Sequence, residues 1–294
     1  MKHGTVSDKE HSIKRKTLII AIILIACLAI GLILAAIFTK PGITDVKSLV
    51  NANIKAQSQV KSYHMDGKVD MDITLDYQEY QTIINIWDPK LMAQMDLSVD
   101  SGGETAHVFT NAGVSIFGET VTEKTAELYL DVGNMAVYSK TGDPPQWKKT
   151  GDYADQIGTL ELAGGLAIAE KAVLENAEFS ETDEFYTLTM PAEKAGDLIN
   201  ELHLLERVDL EIADLSDIAI EGGQIIYNVD KTTLLVSSVE LKDVDCRGKG
   251  TYGGFSVNLL FTVNGTFSFS RYDELEESEY AIPAEVTETQ TADQ

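Results

Sequence analysis

The chain reads as an α+β protein in which an apolar N-terminal helix precedes a short amphipathic helix and a long succession of strands. Three observations predict this. Thr17 to Phe38 are 22 consecutive residues without a charged side chain. Val46, Leu49, Val50 and Ile54 then recur at the three- and four-residue spacing of one helical face. From Tyr63 onward apolar and polar residues alternate with the two-residue period of a strand that has one wet face, and the pattern returns along most of the chain.

At a rise of about 1.5 Å per residue, the apolar run is about 33 Å long, enough to cross a hydrocarbon core of about 30 Å. Lys2, Lys9, Lys14, Arg15 and Lys16 precede it against Asp8 and Glu10. The positive-inside bias therefore keeps residues 1–16 cytoplasmic, makes 17–38 a spanning helix, and puts an extracytoplasmic domain at 39–287 with a flexible tail at 288–294. The expected location is the cell membrane, single-pass. A cleavable signal peptide is the alternative, but its apolar core normally runs about 7 to 15 residues. Leu24-Ile25-Ala26-Cys27 also resembles a lipobox, with Cys27 as the lipidated residue. The chain stays apolar from Leu28 to Phe38 apart from Gly31, which favours an uncleaved anchor.

The whole chain has 23 basic and 47 acidic residues. The first sixteen residues hold five and two of these, which leaves 18 against 45 and a formal charge of −27 for the rest. Such a surface repels nucleic acid and anionic headgroups, so no nucleic-acid partner is expected. Cys27 and Cys246 are the only cysteines, and the first lies in the apolar run, so the exported region has no internal disulfide. Its stability must come from an apolar core.

After Pro41-Gly42, Thr44 serves as the expected N-cap of the amphipathic helix, whose apolar face is interrupted by Asn53. Tyr63, Met65, Val69, Met71, Ile73 and Leu75 then form the apolar side of a strand whose other side carries His64, Asp66, Lys68, Asp70, Asp72 and Asp76. Further strands are expected over 80–87, over 91–99 with Leu91, Ala93, Met95, Leu97 and Val99 buried, and over 107–121 with a break near Gly113 or Gly118. A hairpin over 125–140 closes around Val132-Gly133. Asp143-Pro144-Pro145 ends this part. Helices are expected over 160–176 and 191–205, the second with Pro191 in its first turn, and a strand over 184–190 between them. Strands at 224–229, 234–244 and 255–272 complete the domain, and the chain beyond Ala284 is expected to fray.

Catalytic signatures are missing from this pattern. His64, His107 and His203 show no paired helical spacing, and Asp66, Asp70, Asp72 and Asp76 lack the loop geometry of a calcium site. Gly248-Lys249-Gly250-Thr251 departs from phosphate-loop spacing and is read as a flexible turn. Cys246 has no histidine nearby in sequence and reads as a small buried residue. The expectation is a protein that is not an enzyme and carries no cofactor or metal.

Several stretches resemble a known family. Val60-Lys61-Ser62-Tyr63-His64-Met65-Asp66-Gly67 enters a Met-bearing strand, and Leu128-Tyr129-Leu130-Asp131 leads through Met135-Ala136-Val137-Tyr138 to Trp147-Lys148-Lys149. Tyr227 to Leu235 and Tyr272 through Ala281-Ile282-Pro283-Ala284-Glu285-Val286 continue the likeness. Together these resemble the envelope lipoprotein-carrier superfamily of LolA, LolB and the LprG/LppX proteins, and in particular its uncharacterised, predominantly Gram-positive members. The resemblance covers most of residues 44 to 287. It implies a strongly curved antiparallel sheet, a half barrel, closed by helices over an apolar cavity that takes a lipid or an acylated lipoprotein. On that reading Tyr63, Met65, Val69, Met71, Ile73, Leu91, Met95, Leu97, Val99 and Met135 line the ligand, and Trp147 caps the hollow. Thioethers at Met65, Met71, Met92, Met95, Met135 and Met190 suit a cavity that accepts variable chains, and equally suit gap-filling in a core. The chain departs from the family in keeping a spanning helix, so its own membrane, through 17–38, is a further expected partner. The alternative is an envelope interaction or scaffold domain with a filled interior and an envelope protein as partner.

Overall fold

The computed structural model describes residues 42–76, 91–141, 145–152, 170–195, 213–252 and 255–288. The elements below belong to the unit Asp45–Gln294. The expected spanning helix at 17–38, the strand at 80–87 and most of the helices expected over 160–176 and 191–205 lie outside the described residues. No helix among the described residues is long and apolar enough to cross a membrane.

Helix α1 spans Val46–Gln57. Its N-cap is Asp45, not Thr44: the Ser48 amide donates to Asp45 Oδ1 at 2.7 Å while the Asp45 amide donates to Ser48 Oγ at 3.2 Å. This reciprocal capping box satisfies two donors, and a carboxylate at this end also meets the positive pole of the helix. Leu49, Val50 and Asn53 form the buried face of α1.

Among the described residues twelve strands follow: β1 Ser62–Asp76, β2 Leu91–Gly102, β3 Thr105–Ile116, β4 Glu119–Asp131, β5 Ala136–Thr141, β6 Gln146–Asp152, β7 Glu178–Glu181, β8 Phe185–Pro191, β9 Ala213–Ile220, β10 Gln224–Asp230, β11 Val236–Tyr252 and β12 Phe255–Ser270. Short helices are α2 Glu170–Asn176, a 3₁₀ turn at Ala192–Ala195, α3 Glu277–Tyr280 and α4 Ala284–Glu288. The strands form one open, curved sheet in the order β6-β5-β4-β3-β2-β1-β12-β11-β10-β8-β7, and β9 pairs with β11 beside that path. Every pairing is antiparallel. The first strand lies against the last, so the two ends of the domain close on each other at its centre.

Long strands make room for this topology. β11 runs 17 residues, pairs with β12 on one side, and shares its other side between β10 (through Lys242) and β9 (from Cys246). The handover lies at a register shift between Leu241 and Val244, where Asp243 adopts φ +48. Such bulges bend and twist a strand, and others interrupt β10–β11, β3–β4 and β5–β6.

Several expectations need correction. Gly248-Lys249-Gly250-Thr251 is not a turn: it is strand β11, opposite Leu259, Asn258, Val257 and Ser256. Partners on both sides override the weak strand preference of glycine there. Pro191 closes β8 at a strand end, and the 3₁₀ turn Ala192–Ala195 begins directly after it; the rest of the helix expected over 191–205 lies outside the described residues. Beyond Ala284 the chain forms α4 before it leaves the described residues, and Val286 is fully buried.

Candidate functional site

Strand pairing collects one uncharged face. Along β1, Met65, Gly67, Val69, Met71 and Ile73 stand opposite Val99, Leu97, Met95, Ala93 and Leu91 of β2. On the other side the same five stand opposite Phe269, Phe267, Gly265, Val263 and Phe261 of β12. The registers carry the face onward to Val108 and Val114 on β3, to Val239, Leu241, Val244 and Cys246 on β11, to Ile225, Tyr227 and Val229 on β10, and to Leu188 and Met190 on β8. From β8 to β3 the strands present no charged residue on this side. Met65 and Phe267 are 0% exposed and Leu97 5%.

Small residues set the depth of this surface. A Cβ on Gly67 would come within 2.8 Å of the Phe267 ring and 3.3 Å of Leu97 Cβ, so the phenyl ring lies across a position without a side chain. At one end Tyr63 packs tilted on Phe269 and Tyr272, with ring centroids 6.4 and 6.5 Å away. The Tyr272 hydroxyl donates to the Val236 carbonyl at 2.6 Å. Burial pushes the Tyr227 and Tyr272 phenols above their usual range and the Cys246 thiol up to about 11. No three His, Cys, Asp or Glu side chains converge as metal ligands among the described residues.

Tyr63, Met65, Val69, Met71, Ile73, Leu91, Met95, Leu97 and Val99 thus share one face. Met135 and Trp147 do not join them. Met135 is 53% exposed and occupies the β4–β5 turn at φ +52. Trp147 of β6 stands opposite Lys140, on the other side of the sheet. There it tilts against Tyr129, which stacks on His107 at 4.5 Å, while Lys140 lies over the indole and pairs with Glu127 at 3.0 Å. Met92, opposite Asp72, is also on that side. Sequence reasoning left out the β12 and β11 contribution, above all Phe261, Phe267 and Phe269, although their alternation from Val257 onward carried the signal.

The opposite face is polar. His64 lies between Asp100 (Nδ1 to Oδ1, 2.7 Å) and Asp66 (Nε2 to Oδ2, 3.0 Å). Partial burial pulls its pKa down, but the hydrogen bonds its ring donates to the two carboxylates outweigh it and the pKa is raised. A shallow, open recess of about 360 Å³ lies nearby between Asp66, Lys68, Asp96, Phe109, Thr266 and Ser268, with Phe109 46% exposed. Gly67, Leu97 and Ser98 complete its lining.

Asn53, Ser62 and Ser139 are the buried polar side chains among the described residues. Asn53 of α1 is 0% exposed; its Nδ2 donates to the Leu234 carbonyl at 2.8 Å, and its Oδ1 finds no hydrogen-bond donor among the described residues. An unmet buried acceptor costs about 1–3 kcal/mol.

Sheet and faces define an open antiparallel sheet protein with one uncharged side and one wet side. The chain belongs to the family of unknown function DUF6612, whose model matches residues 45–291. No curated protein matches it. Among solved structures it is similar to a LolA superfamily protein from Nitrosomonas europaea, with 8% identity, TM-score 0.22, and coverage of 82% of this chain and 99% of that one. It is similar to a DUF1329 family protein from Desulfovibrio piger, with 9% identity, TM-score 0.26, and coverage of 80% and 97%. A third likeness is to a beta-barrel-like protein of DUF1849 from Brucella abortus, with 10% identity, TM-score 0.20, and coverage of 68% and 97%.

Proposed function

We propose that this chain is a membrane-tethered, extracytoplasmic, non-enzymatic protein that holds acyl chains of a lipid or lipoprotein against the apolar face of its sheet, with residues 17–38 as the anchor. The observation that carries this reading is the unbroken uncharged face from β8 to β3, where Met65, Met71, Met95 and Met190 supply adaptable thioethers among branched and aromatic side chains. An acyl chain needs no dedicated polar group: burying about ten CH₂ groups contributes about 8 kcal/mol gross, before the costs of association. A second reading, an envelope interaction domain whose interior is filled by its own side chains, draws on the near-complete burial of the same face.

Native mass spectrometry of the full-length protein, purified from its membrane and again after added phospholipid, separates the two. The expected result is a bound mass equal to a lipid and a higher melting temperature with added lipid. An empty protein with an unchanged melting temperature would leave only the filled-interior reading.

A further inference from the structure

We propose that the recess beside Phe109 binds an uncharged sugar ring, stacked on the phenyl group and held by the Lys68, Asp96, Ser98, Thr266 and Ser268 side chains around it. The acyl-binding reading concerns the other side of the sheet, so either can fail without the other.

Strand register builds the site. Ser268, Asp66, Ser98 and Phe109 stand in one row across β12, β1, β2 and β3, and Thr266, Lys68 and Asp96 stand in the next. Around them the polar side is laced by cross-strand hydrogen bonds, the contacts through which polar pairs support a sheet. Gln94 donates to Asp70 at 2.8 Å, Asn111 to Glu123 at 3.1 Å and Thr262 to Asp245 at 2.8 Å, while His64 bridges Asp66 and Asp100. The lacing stops at the recess. Lys68 and Asp96 are directly opposed yet form no ion pair, and the hydroxyls of Ser98, Thr266 and Ser268 make no hydrogen bond among the described residues. An ammonium, a carboxylate and three hydroxyls therefore remain unspent beside a phenyl ring that is 46% exposed. One exposed phenylalanine is ordinary on a protein surface. Here it walls a recess of about 360 Å³, within the range of about 300 to 1,000 Å³ of small-molecule sites.

The chemistry of these groups selects the guest. A sugar ring turns a C–H face to the electron-rich face of the phenyl group, and its hydroxyls both donate to Asp96 and accept from Lys68. A cationic guest meets Lys68. An anionic one meets Asp66, Asp96 and a chain of formal net charge −24, and an apolar one leaves the polar groups dry and unpaired.

The test is to screen the full-length protein in nanodiscs on an array of neutral, basic and acidic glycans, and then to titrate the best neutral glycan into the native protein, Phe109→Ala, Asp96→Asn and Phe117→Ala. Phe117, 59% exposed in the β3–β4 turn, is the control for a phenylalanine outside the recess. Neutral glycans should be retained in preference to acidic ones. Phe109→Ala should weaken binding about tenfold, the worth of one covered ring face, and Asp96→Asn roughly two- to tenfold, the worth of a hydrogen bond. Phe117→Ala should stay within about twofold of the native protein. Retention of acidic glycans alone, or of none, overturns the proposal. So does Phe117→Ala weakening binding as much as Phe109→Ala, or an affinity within about twofold of native in Phe109→Ala, with Asp96→Asn deciding should that variant fail to fold.

Discussion

Gly223 sits where β9 hands over to β10, at φ +96, and a Cβ there would meet the Asp243 carbonyl oxygen and lie 2.5 Å from Val244 Cα. Both the left-handed backbone and the contact with rigid main chain forbid a side chain, so Gly223→Ala should destabilise the domain by about 2 kcal/mol or more, read from urea unfolding. His64 makes a different demand. Its folded pKa is raised, so the folded state holds the proton more tightly than the unfolded chain. The resulting stability is fully present below about pH 6.5 and is lost as pH rises through the raised value. The urea midpoint should fall over that window, and His64→Gln should flatten the fall; an unchanged slope in the variant would assign it to other groups. At this scale the alternation around Val69 and Met71 was enough to place side chains. Met135 and Trp147 were misplaced for local reasons: one lies in a turn that alternation does not describe, and the other on a strand whose polar run gives no sign of which side is wet.

Elements with strong periodicity were legible, and those formed by their partners were not. β1, β2 and β10 follow their apolar spacing closely. Gln146–Asp152 and Glu178–Glu181 are short, polar edge strands that owe their conformation to the neighbouring strand, and charged edges of this kind resist pairing with other chains. Length misled as well, because Gly248 and Gly250 read as punctuation when the strand runs through them. The β10–β11 turn was visible from Asp230 to Thr233, and its chemistry is now explicit: Asp230 Oδ1 accepts from the amides of Thr232 and Thr233 at 2.9 and 2.7 Å and from the Thr233 hydroxyl at 2.9 Å. Asp230→Ala removes these bonds and should cost about 1–2 kcal/mol. Amide exchange should accelerate at Thr232 and Thr233 while β1 amides stay protected. Equal acceleration throughout would mean that the turn and the sheet unfold as one unit.

For the molecule as a whole, the central claim is that the uncharged side of the sheet receives an acyl chain. The methionines report on it directly because the fold distributes them among different surroundings. Met65, Met71, Met95 and Met190 share the apolar face, Met92 is on the polar side and Met135 stands exposed in a turn. With ¹³C-methyl methionine in the full-length protein in nanodiscs, titration with monooleoylglycerol should shift the Met65, Met71, Met95 and Met190 resonances and leave Met135 in place. Shifts confined to Met92 and Met135, or no shift at all under saturating lipid, would contradict the claim.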